Sequence, residues 1–181
     1  MKKRTLALIL ALVLVFGAAV GGTIAYLTDT TGPVENTFTV GNIDISLAET
    51  ATNFKMVPGC DIAKDPKVTV TANSEACWLF VKIEKSTNLD SFISYTVADG
   101  WTQGDGTNIP SNVWYRSVDA STSAQVFSVL AGDQVTVNDA VTKTMMDALT
   151  EDTRPTLTFT AYACQKSGFA TAEAAWDQFS A

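Results

Sequence analysis

The sequence predicts an all-β fold, an antiparallel β-sandwich of the jelly-roll kind with one or two short helices, preceded by an N-terminal signal helix. Three observations lead to this prediction. Most of the chain after residue 36 alternates apolar and polar residues with the two-residue period of half-buried strands. Polar turns separate these segments at short intervals, and helical periodicity is scarce. The first 25 residues have instead the composition of a secretory leader.

The leader begins with three basic residues at positions 2–4 and continues with an almost wholly apolar run over 6–20. Thr23 and Ala25 provide the small side chains that a signal peptidase fits, so cleavage would leave Tyr26 as the first residue of the mature chain. The alternative is an uncleaved membrane anchor, because the uncharged stretch is long enough to span a bilayer. Either way, the sequence predicts that the rest of the chain is translocated, and that it meets the membrane only through an uncleaved leader.

After the leader, nine basic and 19 acidic side chains remain, a formal net charge of −10 on residues 26–181. This charge argues against nucleic acid and anionic membrane surfaces as partners. The chain contains no histidine, which excludes Ser-His-Asp and Cys-His catalytic arrangements and histidine-based zinc sites. We therefore predict no catalytic residue, no cofactor and no metal ligand. Asp61 with Asp65, and Asp99 with Asp105, lack the spacing of a calcium loop and are interpreted as surface acids.

The predicted strands follow the alternation along the chain. They cover 37–40, 43–47, 68–71, 76–84, 92–97, 113–118, 125–130, 134–137 and 156–165. The strongest is 76–84, which places Cys77, Leu79, Val81 and Ile83 on one face. Its other face begins with aromatic residues and ends with charged ones, as in a strand that emerges from cover into water. In the last strand, 156–165, the apolar residues again fall on one side.

Two helices are predicted. One covers 139–149, with Asn138 as its N-cap and apolar residues at i, i+4 and i+8. The other covers 172–179, with Thr171 as its N-cap and Trp176 and Phe179 packing it against the sheets. The polar, glycine-rich segment 99–110 is predicted to be an exposed loop. Segments 26–36 and 37–181 are therefore interpreted as a flexible N-terminal arm and a β-sandwich domain.

The three cysteines are Cys60, Cys77 and Cys164. An odd number cannot be fully paired within one chain. The sequence leaves open a single disulfide, in any of three pairings, and three free thiols. Cys77 and Cys164 fall in predicted strands, and Cys60 falls in a turn.

Residues 21–29 read Gly-Gly-Thr-Ile-Ala-Tyr-Leu-Thr-Asp, and a motif of Asn36, Phe38, Gly41, Ile43 and Ile45 follows them. Together these residues resemble the TasA/camelysin family of Gram-positive bacteria, whose leaders are removed by the signal peptidase SipW. Weaker similarity continues at 57–59, 64–66, 161–165 and 174–176. Cys164 departs from the family pattern, in which an apolar residue other than cysteine is usual.

The resemblance implies a jelly-roll protein that assembles into extracellular fibres of a biofilm matrix. In such fibres the freed N-terminal segment of one subunit fills a groove in the next by donor-strand exchange. The corresponding candidate donor arm is 26–36, with Tyr26, Leu27 and Val34 as its apolar residues. Other family members are described as camelysin, a surface metallo-endopeptidase.

The favoured hypothesis is a secreted structural protein that binds other copies of itself or a related matrix subunit, after a SipW-type signal peptidase has removed its leader. An arm of this kind could add to an exposed sheet edge, and head-to-tail addition gives filaments. The alternative is a cell-surface binding module that does not assemble. The metallo-endopeptidase hypothesis ranks last, because zinc would have to be held without histidine.

Overall fold

The computed structural model describes residues 42–50 and 54–180. Over these residues the fold is all-β, with three antiparallel sheets and three short α-helices. The strands are β1 (Ile45–Ala48), β2 (Asp61–Ala63), β3 (Lys67–Val70), β4 (Cys77–Lys85), β5 (Ile93–Ser94), β6 (Thr102–Gln103), β7 (Val113–Val118), β8 (Gln125–Ser128), β9 (Gln134–Val137) and β10 (Leu157–Gln165). The helices are α1 (Leu89–Phe92), α2 (Lys143–Asp147) and α3 (Ala172–Trp176). The predicted all-β class is confirmed.

The strand order is β1-β3-β8 in one sheet, β10-β4-β7-β6 in the largest, and β2-β9-β5 in the third. The longest ladder joins β4 to β10 over nine residue pairs, from Cys77 opposite Gln165 to Lys85 opposite Leu157. Because these strands lie about eighty positions apart in sequence, the largest sheet depends on long-range pairing. Side chains from all three sheets meet in one main core.

Strand β4 is covered on both faces, as its alternation predicts. Cys77, Leu79, Val81 and Ile83 point into the main core. On the opposite face, Phe80 is fully buried in a second, smaller core that includes Trp176 of α3. The charged end of this face holds Lys82 and Glu84, which pair with each other at 2.8 Å in partly exposed positions.

Helix α3 begins where the sequence predicts and ends earlier. The Thr171 hydroxyl accepts a hydrogen bond from the backbone N–H of Ala174 at 3.3 Å, which is the N-cap arrangement expected of threonine. Trp176 and Phe179 then pack against Phe80, with ring centroids 5.2 and 5.9 Å from that of Phe80. The predicted packing of this segment onto the sheet is confirmed.

The predicted helix over 139–149 is wrong in its start. The helix begins at Lys143, and its N-cap is Thr142, whose hydroxyl accepts from the N–H of Met145 at 3.2 Å. Asn138 does not cap it, because the helix begins five residues later; its side-chain amide instead donates to the carbonyl of Asp90 at 3.0 Å. Likewise, only Ile93–Ser94 of the predicted strand 92–97 forms a strand in a ladder. Its first residue, Phe92, instead ends helix α1 and turns into the main core.

The segment 99–110 is less exposed than predicted. Trp101 and Ile109 are buried, and β6 lies between them. The Trp101 indole N–H donates to the carbonyl of Ser128 at 2.9 Å, and the guanidinium of Arg116 lies over its ring. Gly104 is required there, because a Cβ would collide with the backbone carbonyls of residues 109 and 110. The polar, glycine-rich composition therefore did not predict that Trp101 and Ile109 are buried and hold this segment to the domain.

Asp105 organises the same segment. Its Oδ1 accepts backbone N–H groups of Thr107, Asn108 and Ile109 at 2.8, 2.8 and 3.2 Å. These hydrogen bonds favour the ionised form and lower the pKa of the carboxyl group. Because the folded pKa is lowered, the stabilisation is complete above the unfolded value of 3.8 and is lost as the pH falls through the lower folded pKa.

We therefore expect Asp105→Asn to lower the midpoint of urea unfolding at pH 7, and expect this difference to shrink as the pH approaches 3. The amide retains an acceptor oxygen and loses the charge. Asp99→Asn is the matched control, since Asp99 is exposed and accepts no hydrogen bond among the residues that the structure describes. Equal midpoints for Asp105→Asn and the parent protein at pH 7 would contradict the assignment.

Candidate functional site

The candidate site is the outer edge of the largest sheet, formed by β10. This strand hydrogen-bonds to β4 on one side and stands at the end of the sheet order. Within 42–50 and 54–180, no strand forms a ladder with its other side. Strand β1 comes within 8 Å of β10 between Cα atoms, but its four residues pair with β3 and cannot cover nine positions. A long strand edge of this kind is a ready template for an added strand.

The backbone groups that face outward on β10 follow from the ladder. The N–H of Ser86 donates to the carbonyl of Thr156 at 3.0 Å, and the N–H of Lys166 donates to the carbonyl of Ala76 at 2.8 Å. Backbone direction alternates along an antiparallel strand, so even-numbered residues of β10 bond to β4. The odd-numbered residues from 157 to 165 therefore direct their N–H and C=O groups to the outer edge.

A groove of about 570 Å³ with a mixed apolar and polar lining opens at the beginning of β10. Its floor and walls come from widely separated parts of the chain. The apolar lining residues are Phe54, Met56, Ile62, Leu89, Ile93, Val135, Met146, Leu149, Pro155 and Leu157. A strand added along β10 would carry alternate side chains toward this groove, because side chains alternate across a strand.

Lys64 lies in the wall of this groove and is 8% exposed. Its Nζ is 2.9 Å from Oε2 of Glu49 and 5.2 Å from the ring centroids of both Phe54 and Phe159. A largely buried ammonium group is stable only when it is paired, and here a carboxylate and two aromatic faces share that role. This pair fixes the position of the chain directly after β1 against the groove.

Arg154, just before β10, also lines the groove. Its side chain is exposed, and it forms no ion pair within the described part of the chain. The groove therefore combines apolar side chains with two cations, of which Lys64 is paired with Glu49 and Arg154 has no ion-pair partner in the described part of the chain.

Most residues that the sequence singles out lie outside the described residues. This holds for the predicted cleavage residues Thr23, Ala25 and Tyr26, the arm residues Leu27 and Val34, and the motif residues Asn36, Phe38 and Gly41. The two remaining motif residues are described: Ile45 opens β1 opposite Val70, and both Ile43 and Ile45 pack against the main core. These two isoleucines pack against the main core and thereby hold the beginning of β1 to the domain.

All three cysteines are free thiols. Cys77 stands opposite Gln165 in the β4–β10 ladder, and Cys164 stands opposite Trp78. Residues directly opposite in a ladder share a face, so Cys77 and Cys164 project to opposite faces of the sheet. Burial, with a smaller contribution from Cys164, raises the pKa of the Cys77 thiol to about 11. Cys60 is exposed beside the turn at Pro58 and Gly59.

Three of the four acidic residues considered for calcium, Asp61, Asp65 and Asp105, accept hydrogen bonds from nearby groups. Asp61 accepts hydrogen bonds from Thr136 and Gln134 at 2.6 and 3.1 Å, and Asp65 accepts two from Thr50. In the described chain, no group of three or more acidic or cysteine side chains is placed to hold a metal ion. No helix in the same residues is both long and apolar enough to cross a membrane.

The groove and the outward backbone groups were not predicted from the sequence. The groove residues belong to six separate segments, and the periodic signals that include Ile93, Val135, Leu149 and Leu157 each predicted a separate strand or helix, not a shared groove. Phe54 and Met56 lie in a stretch without strand or helix, where alternation over three residues is too short to interpret.

Comparison of the chain with protein-family models, with curated protein sequences and with solved structures found no significant match. The resemblance to the TasA/camelysin family therefore remains a prediction from the motif residues.

Proposed function

We propose that the protein is an exported structural subunit, a β-sandwich of the jelly-roll kind that assembles with other copies of itself or with a related matrix subunit. Assembly occurs by addition of the N-terminal arm of one subunit, residues 26–36, to the outer edge of β10 in the next. The observation that carries this proposal is the nine-residue edge of β10, whose outer N–H and C=O groups have no strand partner in the described chain.

Two further features support the same function. The groove beside β10 offers an apolar surface to the alternate side chains of an added strand, and the arm supplies Tyr26, Leu27 and Val34. The arm also carries Asp29 and Glu35 and no basic residue, which complements the unpaired Arg154 that lines the groove. Opposite charges of this kind guide the register of docking more than they add affinity.

In this proposal, removal of the leader by a SipW-type signal peptidase determines when subunits can assemble. Before cleavage, the arm is joined to an apolar segment held in the membrane and cannot reach a neighbour. Cleavage after Ala25 releases it, and the subunit then acts outside the cell. The protein has no catalytic role in this proposal. A formal charge of −10 on each subunit opposes association, and added salt screens that repulsion.

The first test compares purified residues 26–181 with residues 37–181, which lack the arm. We expect 26–181 to form filaments visible by electron microscopy and to elute in the void volume, more rapidly at high than at low salt. We expect 37–181 to remain monomeric with the same circular dichroism spectrum. If 26–181 stays monomeric at every salt concentration and pH tested, assembly by strand addition is wrong and a surface binding module becomes the better hypothesis.

A further inference from the structure

A second cleft, which shares Ile93 with the groove, lies where the β5 segment faces β7. It consists of two adjoining depressions of about 490 and 450 Å³. Both are lined by Lys85, Tyr95 and Trp114. Trp114 stands opposite Val81 on one side and Gln103 on the other, so its ring projects from the inner face of the sheet at the β6 end. The cleft therefore has two aromatic side chains at its centre.

Both aromatic side chains keep their polar atoms available. Tyr95 and Trp114 are half-buried and pack against the main core. Neither the Tyr95 hydroxyl nor the Trp114 indole N–H has a hydrogen-bond partner among the residues described, and neither is a buried unsatisfied atom. By contrast, the indoles of Trp78 and Trp101 donate to the carbonyls of Phe169 and Ser128. Within the described residues, the polar side-chain atoms of Tyr115, Tyr162 and Trp176 also lack such a partner, so what sets Tyr95 and Trp114 apart is that both line one cleft.

Amide side chains surround the two rings. Asn112 makes no side-chain hydrogen bond in the described chain, and the Oε1 of Gln103 and the Oδ1 of Asn138 are also free, although the amide nitrogens of the latter two donate to backbone carbonyls. Primary amides both donate and accept. The cleft thus presents unpartnered donors and acceptors on both sides of an aromatic centre, in the size range of ligand clefts.

The charges of the cleft are already paired. Lys85 contacts Asp90 at 2.6 Å, and Glu84 contacts Lys82 at 2.8 Å. A cleft with neutralised ion pairs does not favour an ionic ligand. A ligand that suits it has an apolar face for the rings and many hydroxyl groups for the amides, and it carries no net charge.

We propose that this cleft binds a neutral oligosaccharide. A sugar ring stacks one C–H face on Trp114 or Tyr95, and its hydroxyl groups exchange hydrogen bonds with Asn112, Gln103 and Asn138. Proline-rich peptides are another ligand class that binds aromatic grooves. They bind through apolar contact between proline rings and aromatic side chains, and they need few polar partners. The number of free amide and hydroxyl groups favours the saccharide. This inference concerns a site separate from the β10 edge and does not depend on assembly.

The experiment uses residues 26–181 at low salt and concentrations at which they are monomeric. Isothermal titration calorimetry and tryptophan fluorescence are recorded with cellohexaose, laminarihexaose and chitohexaose, and with a proline-rich decapeptide. We expect at least one hexasaccharide to bind with an affinity that added salt does not change. Trp114→Ala should weaken binding about tenfold or more, because the stacking surface is lost.

Asn112→Ala and Tyr95→Phe provide a second measurement, since Asn112→Ala removes one exposed carboxamide group and Tyr95→Phe removes one hydroxyl group. We expect each to weaken saccharide binding severalfold without changing the melting temperature by more than a few degrees. Trp78→Phe, on the opposite face of the largest sheet, is the control and should bind as the parent protein does. The proposal is overturned if no hexasaccharide binds at millimolar concentration, if only the peptide binds, or if Asn112→Ala and Tyr95→Phe both bind as tightly as the parent.

Discussion

Phe80→Ala is expected to lower the free energy of unfolding by about 3–5 kcal/mol, the range for truncating a buried phenylalanine. Phe80 is completely buried. Its ring lies 5.2 Å from that of Trp176, 5.9 Å from that of Phe179 and 6.2 Å from that of Tyr115. Truncation leaves a cavity that these large rings cannot close, because each is held by other contacts. Helix α3 also loses the surface on which it packs.

Urea unfolding followed by tryptophan fluorescence measures this loss, and Val126→Ala is the matched control. Val126 is an apolar residue of β8 that is 58% exposed, so its truncation should change the free energy by less than about 0.5 kcal/mol. A Phe80→Ala loss below about 1.5 kcal/mol would mean that the second core is not the tightly packed cluster described above.

Ala163→Pro is expected to abolish filament formation by residues 26–181 while leaving a folded monomer. Ala163 is an odd-numbered residue of β10, and its N–H points to the outer edge. Proline removes that donor and is tolerated in strands only at such edge positions. The ladder between β10 and β4 keeps its hydrogen bonds, and a strand arriving from a neighbour loses one of its partners and meets the proline ring.

Two further variants serve as controls for Ala163→Pro. Ala163→Ser keeps the N–H and should assemble like the parent protein. Thr160→Pro removes an N–H that points to β4, so it should destabilise the monomer itself, which circular dichroism would show. If Ala163→Pro remains folded and still forms filaments at the parental rate, the β10 edge is not the acceptor, even if assembly occurs by another route.

The strands with a buried face were predictable from sequence because each alternates over a sufficient length. Strand β4 and strand β10 each have nine residues with a clear apolar face, and the structure places both within a residue of their predicted bounds. Strands β2 and β6 have three and two residues, so no period can be recognised in them. They exist because a neighbouring strand, β9 or β7, supplies the ladder.

The other wrong predictions have a common physical cause. A side chain whose local sequence predicts one role is held by residues that are distant in sequence. Asn138 directly precedes the predicted helix, but the helix begins at Lys143, and the amide of Asn138 donates to the carbonyl of Asp90, 48 residues away. Trp101 stands in a polar, glycine-rich segment, and Arg116 and Ser128 from distant strands hold it in place. The groove beside β10 could not be predicted for the same reason. Its lining comes from segments that only the folded sheets bring together.

The double cover of β4 has a consequence for when the chain can fold. Its outer face is closed by α3, and one of its two ladders is made by β10, so both depend on residues that are synthesised after the other strands of this sheet. Until residues 157–179 are available, the central strand of the largest sheet has an open edge and an exposed aromatic face. Completion of this sheet therefore waits until residues 157–179 have been synthesised, and a chain interrupted before them would expose a strand edge and aromatic side chains that favour aggregation.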